Sequence, residues 1–230
     1  MSSHILVIGL NTMGRTLARE LVRRGSKVTV VDRDRDRTRR IMDEVDHALT
    51  FDSTDRRALE TLDIAAFDRV VVCMGHAFEA AERTTLALLD FGARSVVNTA
   101  TTSQRRDILL EIGAHQVLTP GLLQARNLAV ELVETTIDSF FFVDHDLGLA
   151  EVRLESPLGL DEAALSGVFG PKVRYVGFRR KPAASTDEPA PARNAIELGA
   201  PNSLVPGDSV LLFGDPAAVA RAARKHLGRT

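Results

Sequence analysis

Near its start the chain carries HILVIGLNTMGRTLARELVRRGSKVTVVDRD, and no other stretch restricts its fold as strongly. HILVIG, residues 4–9, is an unbroken apolar run ending in glycine, the pattern of a strand buried on both faces of a parallel sheet. From Asn11 to Arg24 the apolar residues Met13, Leu17 and Leu21 recur at helical spacing, and Gly25 suits the helix end. A second apolar run, Lys27–Val31, closes on Asp32. Strand, glycine turn, helix, strand and acid in this order form the frame of a dinucleotide-binding turn.

The alternation continues. DRDRDRTRRIMDEV predicts an exposed helix whose mixed charges mark a solvated face. A turn over Phe51–Thr54 leads to a helix from Asp55, with Leu59 and Leu62 inward. Strands over Arg69–Gly75, Ser95–Asn98 and Gln116–Leu118 alternate with helices over Glu79–Phe91 and Thr102–Ile112. The predicted fold class is α/β, a Rossmann-like doubly wound parallel sheet. After Pro120 the pattern changes. Leu122–Ile137 reads as one amphipathic helix with Leu128, Leu132 and Thr135 on a stripe. EVRLE, KVRYVGF and SVLLFG then read as strands, with helices near Asp161–Leu165 and over Pro216–His226. KPAASTDEPAPAR (181–193) predicts a mobile loop. The expected division is a first domain over 1–138, including the helix at 122–138, and a small α+β domain over 145–230. Phe140, Phe141 and Phe142 stand in a row, so no single face buries all three against one core. They predict contact with two surfaces, a neighbouring subunit or the chain's own two domains.

Four strand ends carry the candidate site. At the first, Gly9 permits a tight turn, Gly14 permits close packing of helix on strand, and Asn11, Thr12 and Met13 bring helix N–H groups to an anion. At the second, Asp32 lies about 20 residues on, where a carboxylate accepts both ribose hydroxyls. An acid there disfavours a 2′-phosphate, so NADP is the least favoured ligand. Arg33 is placed to stack on adenine or to receive a phosphate. At the third, Asp52, Ser53 and Thr54 end a strand where an adenine edge would lie. At the fourth, Cys73, Met74 and Gly75 flank the phosphates, Gly75 allows close approach to the backbone, and His76 follows. Asn11 departs from this frame, because it replaces the middle glycine of G-x-G-x-x-G. That glycine lets backbone sit against phosphate, and a side chain there intrudes. Asparagine is the least damaging substitute, since it tolerates left-handed dihedrals, and its amide can replace a water contact.

Other chemistry is poorly supported. A net charge of −2 gives no electrostatic case for nucleic acid or a bulk membrane surface. One cysteine excludes an intrachain disulfide framework and fits a reducing cytosol. No apolar run approaches the roughly 18 residues of a membrane helix, so direct insertion is not expected and the chain reads as soluble and cytoplasmic. Arg15 can reach a phosphate from the first helical turn, yet such an arginine is ordinarily solvated. Neither His76 with Glu79 and Glu82 nor Asp144-His145-Asp146 makes a convincing metal cluster. No nucleophile–base pair or paired catalytic carboxylate stands out, so no catalytic and no metal residues are assigned. A small NAD(H)-dependent oxidoreductase is the alternative class, though few residues remain for its substrate domain.

GLNTMG, VVDRD, FDSTD, VVVCMG and IGAHQVLTPG before a long helix together resemble the RCK domains, also called KTN or TrkA-type. These regulate bacterial Trk and Ktr potassium uptake and ligand-gated potassium channels. The resemblance spans residues 4–138, and the part from about 145 to 228 is similar to the small C-terminal RCK domain. It implies homodimers assembling into an octameric ring beneath a membrane-embedded potassium transporter or channel subunit, with the helix at Leu122–Ile137 packing on a partner. It also implies an adenine nucleotide (ATP, ADP, AMP, NAD or NADH) on the first domain and, in some relatives, a cyclic dinucleotide on the second. Gly9, Gly14, Asp32, Ser53 and Gly75 match the family's nucleotide contacts. Where some ATP-responsive members carry an arginine in the glycine turn, a lysine after the fifth strand and an acid after the proline, this chain has Thr12, Asn98-Thr99 and Gly121. The expectation is a preference for ADP, AMP or NAD(H) over ATP, or loss of nucleotide regulation.

Overall fold

A computed structural model describes residues 3–134, 137–143, 147–155, 169–180, 196–198 and 204–227. The chain divides into two compact units, Met1–Leu122 and Leu123–Thr230. The expected helix near Asp161–Leu165, the loop at 181–193, Thr135 and the Asp144-His145-Asp146 run lie outside the described residues.

The first unit is a six-stranded sheet of β1 (His4–Ile8), β2 (Lys27–Asp32), β3 (His47–Thr50), β4 (Arg69–Val72), β5 (Val96–Thr99) and β6 (Gln116–Leu118). All strands are parallel, in the order β3-β2-β1-β4-β5-β6. Helices α1 (Thr12–Arg23), α2 (Arg35–Arg39), α3 (Arg56–Glu60), α4 (Phe78–Asp90) and α5 (Ser103–Glu111) connect them. The two-residue period of a strand explains the continuous apolar runs. Leu6, Ile8, Val70 and Val72 enter one apolar layer, while Ile5, Val7, Val28 and Val71 enter the opposite one. Strand order turns back between β1 and β4, which opens a crevice beyond their C-terminal ends.

Two glycines hold this crevice together. Gly9 has φ +94, a left-handed conformation, and a side chain there would lie 2.8 Å from the Cys73 carbonyl oxygen. A Cβ on Gly14 would lie 1.9 Å from the Gly9 carbonyl oxygen, so only glycine lets α1 sit this close to the turn.

The second unit is an antiparallel sheet of β7 (Ile137–Phe142), β8 (Gly148–Arg153), β9 (Val173–Arg179), β10 (Glu197–Leu198) and β11 (Ser209–Gly214), ordered β10-β9-β11-β8-β7. Its core joins Phe140, Val152, Val210 and Leu212 to Val219 and Ala223 of α7 (Pro216–His226). Asp215 caps α7 by accepting the Ala218 N–H at 2.8 Å. Helix α6 (Pro120–Val133) supplies Asn127 and Glu131, four residues apart. Their side-chain oxygens accept the N–H groups of Phe142 and Phe140 at 3.1 and 2.9 Å. The open edge of β7 is thereby satisfied by side chains.

Several expectations need correction. The charged run after Asp32 forms only the five-residue α2 and a 3₁₀ turn at Met42–Glu44, because Ile41 turns inward and is fully buried. The long helix ends at Val133, not near residue 138. Ile137 instead opens β7, in keeping with the weak helix propensity of a β-branched Val-x-Thr-Thr-Ile sequence. The fourth strand stops at Val72, and Cys73 to Gly75 already belong to the turn. The three phenylalanines follow strand alternation. Phe140 is buried and packs edge-on against Phe142, at 4.9 Å between ring centroids, while Phe141 faces outward and is 54% exposed.

Gly14→Ala is expected to force α1 off the turn at a cost of about 2–3 kcal/mol. The melting midpoint should then drop by roughly 5–15 °C in a thermal unfolding scan.

Candidate functional site

Two cavities flank the crevice of the first unit. The first, of ≈ 420 Å³, is lined by Gly9, Asp32, Arg33, Asp52, Ser53, Cys73 and Met74 among others. The second, of ≈ 370 Å³, is bounded by Thr12, Met13, Gly75, Thr99, Thr101 and Gly121. Asn11 and His76 line both.

Asp32 organises the first cavity. It is buried, with Oδ2 accepting the Leu10 N–H at 2.6 Å and Oδ1 accepting the Asp34 N–H at 2.8 Å. The Arg37 guanidinium lies 3.6 Å from Oδ2. Each carboxylate oxygen accepts more than one hydrogen bond, so both keep capacity for a sugar hydroxyl. Asp52 accepts the N–H and the hydroxyl of Thr54 at 2.9 and 2.8 Å. These two bonds, helped by Arg33 and Arg83, hold its carboxyl below the usual range. Ser53 is buried, its hydroxyl 3.0 Å from that of Thr84.

Asn11 has φ −63 and ψ −177, which is extended backbone, so tolerance of left-handed dihedrals is not why asparagine fits. Its role is capping. Oδ1 accepts the Gly14 N–H at 3.0 Å, and Nδ2 donates to the Cys73 carbonyl at 2.7 Å. One side chain thus satisfies a free helix N–H and ties α1 to the end of β4. Gly14 lies beneath the turn and lines neither cavity. The Cβ that Gly75 lacks would meet the Thr99 carbonyl oxygen at 3.1 Å, so its smallness serves packing against β5.

Residues 5–120, just over half of the chain, match the TrkA-N domain family. The chain belongs to this family.

Among relatives of this TrkA-N chain, Ktr system potassium uptake protein C of Bacillus subtilis (strain 168) is 28% identical over 158 residues, covering 69% of this chain and 72% of that protein. Ktr system potassium uptake protein A of the same organism is 29% identical over 136 residues, covering 57% and 61%. The solved GsuK RCK domain matches all of this chain (100%) and 48% of its own, with a TM-score of 0.65 at 17% identity. The GsuK channel bound to NAD matches with a TM-score of 0.64, 17% identity, and coverage of 100% and 40%. The chain therefore spans less than half of either structure. These likenesses establish the shared fold: a parallel Rossmann-like sheet followed by a small antiparallel one.

Against the TrkA-N frame, the departures noted in the sequence converge on one place. Thr12, Thr99 and Gly121 all line the second cavity, whereas Asn98 sits inside β5, fully buried and bonded to Thr85. Among the described residues no lysine, arginine or carboxylate lines that cavity, although Arg105 donates to the Thr101 hydroxyl and the Gly75 carbonyl at 3.0 and 3.4 Å. The first cavity also holds residues that the sequence reading missed: Arg37, Phe51 and Arg83. Arg37 lies three residues after the capping Asp34 and Arg83 lies on α4, and neither carries a local sequence signal for this site. Arg15 lines neither cavity, and its Nε is buried without a partner. Glu79 lines the first cavity, and no metal-binding group of His, Cys, Asp or Glu occurs among the described residues.

Burial pushes the Cys73 thiol up to about 11, so it is protonated and inert at neutral pH. At pH 8 its thiolate fraction should fall about two orders of magnitude below that of the unfolded chain. Iodoacetamide labelling followed by mass spectrometry should therefore be at least a hundredfold slower in the native protein than in urea.

Proposed function

We propose that this chain is a nucleotide-sensing regulatory subunit of a potassium transporter or channel, attached to the inner face of the membrane through that partner. The observation that carries the reading is the first cavity, where a buried Asp32 is prepared for ribose hydroxyls beside the N-terminus of α1. The potassium-uptake names of the Ktr relatives supply the transport role. Among the described residues no helix is long and apolar enough to cross a membrane.

The ligand is ADP, AMP or NAD(H) in preference to ATP. A terminal phosphate entering the second cavity meets hydroxyls, backbone and His76, while the Arg105 guanidinium behind it is engaged with the Thr101 hydroxyl and the Gly75 carbonyl. Regulation then works by differential affinity: ligand favours one of two arrangements of the assembly by the difference in its binding free energy. Calorimetric titration should give ADP or AMP binding at least tenfold tighter than ATP. Tighter ATP binding refutes the preference, and hydride transfer by the purified protein refutes the regulatory reading.

Assembly rests on α6. Leu122, Leu128, Leu132 and Val133 are all exposed, Leu132 and Val133 at 73% and 74%. A second copy of the chain is the occupant proposed for this face, making the homodimer from which a ring is built. Leu132→Asp should raise the dimer dissociation constant at least tenfold in sedimentation velocity runs while leaving the melting midpoint of the monomer nearly unchanged.

A further inference from the structure

We propose that Asn11 sets which adenine ligand this site takes, admitting a mononucleotide and disfavouring a dinucleotide that must run from the first cavity into the second. The inference rests on the nucleotide reading above and narrows it.

Asn11 lines both cavities and so stands on the path between them. Its side chain is not free to swing aside. Oδ1 is held by the Gly14 N–H at 3.0 Å and Nδ2 by the Cys73 carbonyl at 2.7 Å. These bonds lay the carboxamide from the start of α1 to the end of β4, between the C-terminal ends of β1 and β4. A glycine at this position leaves that span to a pyrophosphate.

An adenosine with one or two phosphates does not have to displace the carboxamide. Its ribose meets Asp32 in the first cavity. Its phosphate lies beside Asn11 within the first cavity and does not reach Thr12 and Met13, which line the second. Nδ2 keeps a second N–H for an acceptor. A pyrophosphate carrying a second nucleoside has to continue past the carboxamide. It must break one or both of its bonds and leave the partly buried Gly14 N–H or Cys73 carbonyl without that partner. Two hydrogen bonds of ordinary net strength correspond to a penalty of roughly tenfold to hundredfold in affinity.

The test is calorimetric titration of the full chain with adenosine, AMP, ADP and NAD, for wild type, Asn11→Gly and Asn11→Ser. Glycine at an N-cap costs only a few tenths of a kcal/mol, and serine keeps the cap but is too short to span to Cys73. Wild type should bind AMP at least tenfold more tightly than NAD. Asn11→Gly should raise the ratio of NAD to AMP affinity at least tenfold, with Asn11→Ser moving in the same direction. Wild type binding NAD as tightly as AMP overturns the inference and leaves the nucleotide reading standing. So does an NAD-to-AMP ratio unchanged in both variants. No binding of any of the four ligands by wild type or by Asn11→Gly overturns both.

Discussion

The Asp32 carboxylate is the fixed point of this molecule's first unit. A charge only 7% exposed is costly unless it is paired, and here two backbone N–H groups and a guanidinium surround it. The bond from Leu10 ties the β1–α1 turn to the end of β2, and the bond from Asp34 starts the chain toward α2. Both turns that shape the first cavity are therefore referred to one side chain. That arrangement is also what a ribose needs, because an acceptor already held rigidly loses little freedom when hydroxyls arrive.

The turn itself shows how one substitution changes the purpose of a frame without breaking it. Gly9 and Gly14 are fixed by contacts inside the chain, with Gly9 against Cys73 and Gly14 against Gly9, so their presence reports on folding before it reports on any ligand. The middle position has no such dihedral constraint: its backbone is extended, a conformation any residue adopts. Asparagine exploits that freedom by closing two hydrogen bonds that a glycine leaves to solvent or to phosphate. The gain in local order is bought from the groove a dinucleotide uses. Under the proposed sensing role that exchange is tolerable, because sensing requires only different affinities for two shapes and no hydride geometry.

Most of the sheet was legible because parallel strands buried on both faces read as unbroken apolar runs, and β6 was read to the residue. The helix caps were less visible. Asn11 was read as damage, since a sequence does not say whether a polar side chain faces a ligand or its own helix. Asn98-Thr99 stand where some ATP-responsive relatives carry a lysine, and of the two Asn98 lies in β5, where parity turns it toward Thr85 and gives the cavity to Thr99. Arg37 and Arg83 escaped notice because solvated arginines are common and only the fold brings these two to Asp32 and Asp52.

Helix α6 inverts the usual logic of an amphipathic helix. Its polar residues Asn127 and Glu131 face β7 and close that strand's edge, and Glu134 just beyond its end pairs with Arg224 of α7. Its leucines Leu128 and Leu132 lie about 100° round the helix from those residues and are exposed. Inside one chain this arrangement spends polar groups where apolar burial is cheaper and leaves apolar area in water. The exposed leucines form the face proposed for a second copy, and the polar inner face has its own use. Fixed hydrogen bonds to β7 hold the helix in a single rotational setting, so whatever covers the leucines meets them in one register.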